Sequence, residues 1–469
     1  MAGYRRRGGP GGFHAKSPHG TTTMAGRIMS EMKDTMQVYH ATPGGRLTGT
    51  IRVPGDKSIS HRSIMLGALA EGVTEVTGFL EGEDALATMN VFRALGVQIE
   101  GPEQGRVTIH GVGLHGLKAP DMALDCGNSG TSMRLLAGLL AAQPFDCTLT
   151  GDASLTQRPM ARVADPLRLM GARLETAAGG RPPLKIYGTP ELHGLTYTLP
   201  MASAQVKSAL LLAGLYAQGE TVITEPEVTR DHTERMFEGF GVPVRREGRT
   251  IRVTGGHGLH ATPIEVPGDI SSAAFFLVGA CISPGSDLRL QSVGLNPTRT
   301  GILDVLRLMG ANLEIERSWI AGGEPLADLR VRATPLRGIT IPTELVPLAI
   351  DEFPALFIAA ACAEGRTILR GAAELRVKES DRIQVMADGL KALGIYTEVL
   401  PDGLIIEGGQ GFGSGTVESH GDHRIAMSFS MAALCAQGPI EIRDCANVAT
   451  SFPGFVSLAC AAGLNLNAS

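Results

Sequence analysis

A chain of 469 residues is too long for one hydrophobic core and implies two or three domains. Hydrophobic content of 43% and charged content of 19% describe a soluble globular protein, and no apolar run approaches the roughly 18 residues of a membrane span. A net charge of −5 with 4% aromatics argues against general nucleic-acid binding, so local basic clusters must serve small anions.

The first 36 residues carry Arg5-Arg6-Arg7, several glycines and Thr21-Thr22-Thr23 but no apolar stretch, and are expected to be a disordered extension with no signal peptide. Next comes Val53-Pro54-Gly55-Asp56-Lys57-Ser58-Ile59-Ser60-His61-Arg62. Pro54-Gly55 breaks the preceding segment, and Asp56 or Ser58 can cap the helix implied by Ile59, Met65 and Leu66. Lys57 and Arg62 sit at the helix end where cations oppose the macrodipole. A capped surface helix and an anion site both satisfy this stretch taken alone.

A cap-rich turn followed by an Ala/Leu-rich helix recurs six times. The starts are Lys57, Gly127-Asn128-Ser129-Gly130-Thr131, Met201-Ala202-Ser203-Ala204-Gln205, Pro267-Gly268-Asp269, Asp351-Glu352-Phe353-Pro354 and Gly421-Asp422-His423-Arg424. After each comes a more polar helix that stops at Gly96, Gly171, Gly241, Gly310, Gly394 or Gly463 and passes into a strand. The first helix of each unit is apolar nearly all round, which implies burial. The expected fold is therefore α/β, with helices inside and sheets outside, in two sets of three units. The near-duplicates Pro54-Gly55-Asp56 and Pro267-Gly268-Asp269 place the crossovers, giving one domain of residues 37–56 plus 269–469 and another of 57–268.

Cations recur at or near the helix starts: Lys57, Arg62, Arg134, Lys207 and Arg424, with Arg158, Arg230 and Arg382 nearby. Arginine offers a planar fork for carboxylate or phosphate, so a substrate with several negative charges follows. Arg376-Val377-Lys378-Glu379-Ser380-Asp381-Arg382 is the densest charge cluster, and on a helix Lys378, Glu379 and Arg382 would share a face. A glutamate among cations can serve as base or proton relay. Asp351 reads as a helix cap and as a carboxylate aimed at the same cleft. His420, Asp422 and His423 lack further ligands nearby, so no metal is expected. Phosphate-loop and dinucleotide motifs are absent. Cys126, Cys147, Cys281, Cys362, Cys435, Cys445 and Cys460 include no C-x-x-C pair and read as reduced core thiols of a cytoplasmic protein.

Four motifs in order resemble the 5-enolpyruvylshikimate-3-phosphate synthase family over residues ~40–465: Pro54–Arg62, Gly127–Thr131, Arg376–Arg382 and Gly421-Asp422-His423-Arg424-Ile425-Ala426-Met427. The resemblance implies two inside-out α/β barrel domains of three repeats each, joined by a two-strand hinge. It implies transfer of enolpyruvyl from phosphoenolpyruvate to the 5-hydroxyl of shikimate 3-phosphate, releasing phosphate through a tetrahedral intermediate. No cofactor or metal is implied, and a monomer with neither nucleic-acid nor membrane partners is expected. Carried over by position, Lys57, Ser58, Arg62, Ser203, Ala204, Gln205, Arg230, Asp351 and Lys378 would hold shikimate 3-phosphate. Lys57, Asn128, Gly130, Thr131, Arg158, Gln205, Arg382 and Arg424 would hold phosphoenolpyruvate. Asp351, Glu379 and Lys57 would be catalytic.

Departures accompany the match. Ser203-Ala204-Gln205 resembles the branch that includes glyphosate-tolerant enzymes, and the lysine that another branch carries near Thr450 is missing. Gly130 leaves room beside the phosphoenolpyruvate site, so glyphosate is expected to fit. The sister enzyme acting on UDP-N-acetylglucosamine is the nearest alternative, but Gly151–Gln157 lacks its loop cysteine. A non-catalytic phosphate-binding scaffold is the alternative from another class.

Overall fold

The structure, a computed structural model, describes residues 37–188, 191–321 and 323–469; the expected disordered extension lies outside them. Helices come in pairs along the chain: α1 (Lys57–Leu69) and α2 (Glu83–Ala94), α3 (Gly130–Leu140) and α4 (Ala161–Leu169), α5 (Ala204–Gly214) and α6 (His232–Gly239). The second half repeats the pattern with α7 (Ile270–Ile282) and α8 (Gly301–Leu308), α9 (Phe353–Cys362) and α10 (Arg382–Ala392), α11 (His423–Ala432) and α12 (Phe455–Ala462).

The first helix of each pair is buried along almost its whole length, as its unbroken apolar surface requires. Local chemistry sets where these helices begin. Asp56 Oδ1 accepts from the Ile59 amide at 2.9 Å, Ser129 Oγ from Ser132 at 3.1 Å, and Asp422 Oδ1 from Arg424 at 3.0 Å. The second helix of each pair runs into a glycine in the left-handed region, with φ between 86° and 117° at Gly96, Gly171, Gly241, Gly310, Gly394 and Gly463. A side chain is strained there, which is why glycine ends all six.

Among the described residues, six open sheets accompany the six pairs, and each repeats one order. In the first, Ala70–Thr77 pairs with Arg106–Val112, which pairs with Gln98–Glu103, all antiparallel. The sixth obeys the same order only because the chain's first described strand, Tyr39–Gly45, inserts antiparallel between Ile440–Arg443 and Leu464–Ala468. Parallel strands link the sheets within each set. Leu259–His260 and Ile264–Glu265 return from the third unit to Ala70–Thr77 of the first. Thr48–Ile51 likewise joins Asp287–Gly294, tying the sixth unit to the fourth.

Two hydrophobic cores result. One gathers residues from Ile59 to Val266, the other Tyr39–Val53 together with Ile270–Leu466. Truncating a fully buried ring such as Phe357 would cost about 3–5 kcal/mol. The chain passes between cores at Pro54-Gly55 and Pro267-Gly268, and these crossings pair: Asp56 N donates to Pro267 O at 2.7 Å and Asp269 N to Pro54 O at 2.9 Å. Gly55 is required at this crossing, since a Cβ would strike the Gly78 carbonyl oxygen.

A buried arginine organises the same place. Arg299 donates to Asp56 Oδ2 at 2.5 Å, Asp269 Oδ1 at 3.0 Å and Ser271 Oγ at 2.6 Å, with Glu352 Oε1 at 3.8 Å. Burial alone would lower its pKa, but Asp269, Asp56, Glu352 and Asp351 outweigh that and raise it. Removing one partner of such a pair typically costs about 3–5 kcal/mol, because the remaining charges stay buried. Glu352 is thereby drawn away from capping. It is the N-cap residue of α9 but makes no side-chain cap bond, so the expected Asp351 cap is replaced by a Glu352 start stapled to Ser271.

Candidate active site

A cavity of about 260 Å³ lies between the two cores and is lined from the starts of all six buried helices. Lys57 and Ser58, Gly130 and Thr131, Ser203–Gln205, Asp269, Asp351, and His423 with Arg424 all face it. The positive dipole ends of these helices therefore converge on one space, a setting that favours anions. Arg134, Arg158, Arg162, Arg230, Arg299, Lys378 and Arg382 add formal positive charge.

Carboxylates from the second core answer cations from the first. Arg230 pairs with Asp351, Arg162 Nη1 lies 3.6 Å from Glu374 Oε1, and Arg158 Nη1 lies 4.0 Å from Glu379 Oε1. Asp351 is the most heavily engaged, with Lys378 Nζ at 3.3 Å and Arg382 Nη1 at 3.2 Å. Burial would raise its pKa, but Lys378, Arg230, Arg424 and Arg382 together win and hold it well below the usual carboxylate range. Glu379 is alike: burial opposes ionisation, while Arg382, Arg158 and His423 drive its pKa well down. Arg382 Nη2 donates to Glu379 Oε2 at 2.7 Å and Arg382 Nε to Asp422 Oδ2 at 2.8 Å, so one buried guanidinium joins α10 to the cap of α11.

The 376–382 cluster is not one helical face. A 3-10 turn covers Ala373–Val377, Lys378 is extended, and α10 begins at Arg382 under an Asp381 cap. The break aims Lys378 and Glu379 into the cavity, which a continuous helix would not do for both.

Two expected substrate contacts lie elsewhere. Arg62 is 5% exposed and does not line the cavity; its guanidinium donates to Thr233 Oγ1 at 2.7 Å, Ser208 Oγ at 2.8 Å and the Ser58 carbonyl at 2.9 Å. Burial lowers its pKa to about 10, and Glu234 and Asp56 only partly offset this. Asn128 also stands behind the wall. It accepts from Arg158 Nη2 at 2.6 Å and donates to Asp152 Oδ2 at 2.6 Å, so it orients the arginine that does face the space.

Several lining residues were not among the expected contacts. Arg134 donates to Gln205 Oε1 at 2.5 Å, and Gln205 donates to Thr131 Oγ1 at 3.0 Å, locking the starts of α3 and α5 together. Burial, then Arg162 and Arg158, lowers the Arg134 pKa to about 9. Arg162, Arg299, Glu374 and Asp84 also line the cavity, with Asp84 paired to Lys57. Arg134 was visible as a cation at a helix start; Arg299, in an Asn296-Pro297-Thr298-Arg299 turn, gave no sequence signal. Cys362 and Cys435 are half-buried and Cys460 is exposed, so not every cysteine is a core thiol.

Comparison with known proteins gives one answer at every level. Residues 41–458 match the family model described as EPSP synthase (3-phosphoshikimate 1-carboxyvinyltransferase). The 3-phosphoshikimate 1-carboxyvinyltransferase of Alkalilimnicola ehrlichii is 67% identical over 91% of this chain and 96% of its own length. That of Methylococcus capsulatus is 66% identical over 93% and 100%. A solved EPSP synthase from Acinetobacter baumannii superposes with a TM-score of 0.85 at 61% identity, covering 93% of this chain and all of the other. The enolpyruvyl transferase NikO from Streptomyces tendae shares the fold, with a TM-score of 0.73 at 18% identity over 92% and 99% of the two chains.

Proposed function

The chain belongs to the EPSP synthase family and is a transferase of the shikimate pathway, and from that premise we propose how its residues divide the work. The substrates are shikimate 3-phosphate and phosphoenolpyruvate. The observation that carries the reading is the pairing of two carboxylates, Asp351 and Glu379, with cations in one cavity lined by six helix starts.

Lys57, Ser58, Ser203, Ala204, Gln205, Arg230 and Lys378 hold shikimate 3-phosphate, and Arg62 supports them from behind Ser58. Lys57, Gly130, Thr131, Arg158, Gln205, Arg382 and Arg424 hold phosphoenolpyruvate, with Asn128 orienting Arg158. Asp351 takes the proton of the 5-hydroxyl as its oxygen attacks C2 of phosphoenolpyruvate. Glu379, assisted by Lys57, delivers a proton to C3. The tetrahedral intermediate then collapses: Glu379 recovers a proton from C3, the double bond re-forms, and phosphate leaves carrying the proton that Asp351 took from the hydroxyl. No electron changes hands, so the step needs neither an oxidant nor a reductant.

Such depressed carboxylates would be weak bases. Substrate anions resolve this. As phosphates and carboxylates take up Arg230, Lys378, Arg158 and Arg382, Asp351 and Glu379 lose neutralising charge and their pKa values rise toward the working range. The fold around them is read as two inside-out α/β barrel domains, residues 37–56 plus 269–469 and 57–268, hinged at the paired crossings. A monomer is supported by a cavity completed within one chain, and a cytoplasmic setting by seven free cysteines. None of the described helices is long and apolar enough to cross a membrane.

Turnover in D2O tests the proton role. Addition and elimination through Glu379 place deuterium in the methylene group of the product, and Glu379→Gln abolishes its appearance. A product free of deuterium would reject the addition–elimination route.

A further inference from the structure

Behind the cavity wall lies a buried ion cluster that the transfer chemistry does not use. Lys207, on α5 just after Ser203–Gln205, is 0% exposed, and its Nζ lies 3.1 Å from Glu225 Oε1 and 2.8 Å from Glu234 Oε1. The same Nζ donates to the Thr229 carbonyl at 3.4 Å. Glu225 Oε1 accepts from the Thr229 amide at 3.2 Å and from the Thr229 hydroxyl. Both polar groups of the Thr229 main chain are therefore clamped, and the next residue, Arg230, enters the cavity. The far side of Arg230 is fixed from the other core. Asn296 Nδ2 donates to Asp231 Oδ1 at 2.7 Å, and His232 Nδ1 lies 2.9 Å from Glu324 Oε1.

This cluster is an inefficient way to gain stability. Desolvating ions is costly, and apolar side chains of similar volume often serve as well. Two glutamates face one buried lysine, and beyond it Glu225 Oε2 lies 3.6 Å from Arg246 Nη2. Burial raises the Glu225 pKa, and Lys207 and Thr229 only partly offset this. The arrangement is better suited to fixing one backbone segment. That accounts for a lysine in the buried stretch that follows Gln205 on α5.

We propose that Lys207 and Glu225 are positioning residues for shikimate 3-phosphate, fixing the Thr229–Arg230 main chain so that the Arg230 guanidinium meets the substrate's phosphate. The assignment rests on the reading of Arg230 as a phosphate contact.

Steady-state kinetics of the full chain tests it. Glu225→Gln keeps an acceptor for Thr229 and leaves Lys207 paired with Glu234, so the variant is expected to fold. Thr229→Val removes the hydroxyl link while both ions stay paired. Glu225→Gln should raise KM for shikimate 3-phosphate about tenfold, with kcat and KM for phosphoenolpyruvate held within about twofold. Thr229→Val should shift the same constant by less. Arg230→Gln should raise it at least as far, and the Glu225→Gln/Arg230→Gln double variant should be no worse than Arg230→Gln alone. A raised KM in Arg230→Gln with neither Glu225→Gln nor Thr229→Val affected overturns the positioning role. An unchanged KM in Arg230→Gln instead overturns the phosphate contact itself. Equal losses in kcat and both KM values, additive in the double variant, would mark the cluster as purely structural and likewise overturn the proposal.

Discussion

Arg230 and Asp351 are counter-ions across the cavity, each supplied by a different hydrophobic core. The cation assigned to the substrate's phosphate thus neutralises the carboxylate assigned to its hydroxyl. Asp351→Asn should release Arg230 and Lys378 for the phosphate, while Arg382 keeps Asp422 and Glu379 as partners. The expected result is shikimate 3-phosphate binding at least as tight as in the unmodified protein, with kcat lowered about 100-fold or more. Calorimetric titration beside steady-state kinetics measures both. Weakened binding with unchanged kcat would reverse the assignment.

Glu379 and Arg158 should separate in the same way along the other substrate. Glu379→Ala should lower kcat by roughly 100-fold or more with little change in KM for either substrate. Arg158→Ala should chiefly raise KM for phosphoenolpyruvate, since Asn128 and Ser154 hold that guanidinium toward the cavity. The opposite pattern would exchange their roles.

Gly130 opens α3 at the cavity wall. An added Cβ would lie 2.8 Å from Arg134 Nη1 and 3.1 Å from Arg158 Nη1. Both are ends of flexible side chains, so Gly130→Ala should fold but displace the two guanidiniums. KM for phosphoenolpyruvate should rise a few-fold, and the inhibition constant for glyphosate should rise with it. An unchanged inhibition constant would contradict the placement of Gly130 beside that site.

What could be read from the chain was local in origin. The six glycine stops were legible because a left-handed residue at a helix end is a property of a few neighbours. Buried helices were legible from their unbroken apolar surface. Tyr39–Gly45 as the middle strand of the sixth sheet was not, because its partners lie some 400 residues away. Arg62 shows the limit for the site. Its motif marked it as a substrate contact, and the structure adds partners far away in sequence, Thr233 and Ser208, that the motif did not show. Arg299 was invisible because its carboxylate partners come from both crossings and from the start of α9.

Acid stability should report the buried histidines. Burial, then Arg424, lowers the His423 pKa to about 3; burial, then Lys57 and Arg62, drives that of His61 well below its usual value. The unfolded chain binds these protons below about pH 6.5 and the folded chain does not, so stability must fall as pH drops from there toward 3. Each histidine contributes a slope of up to about 1.4 kcal/mol per pH unit. The depressed carboxylates Asp351, Glu379 and Asp422 act only lower, as pH falls below about 4. Urea midpoints at pH 7.5 and 5.5 should therefore differ, and by less in His61→Gln. Equal midpoints would mean that the histidines titrate in the folded protein.

Phosphate release reads the transfer of enolpyruvyl to shikimate 3-phosphate most directly. Purified protein in excess chelator, given phosphoenolpyruvate and shikimate 3-phosphate, should release one inorganic phosphate per enolpyruvyl product. It should release none when UDP-N-acetylglucosamine replaces shikimate 3-phosphate. No phosphate with shikimate 3-phosphate, or equal release with the sugar nucleotide, would contradict that transfer.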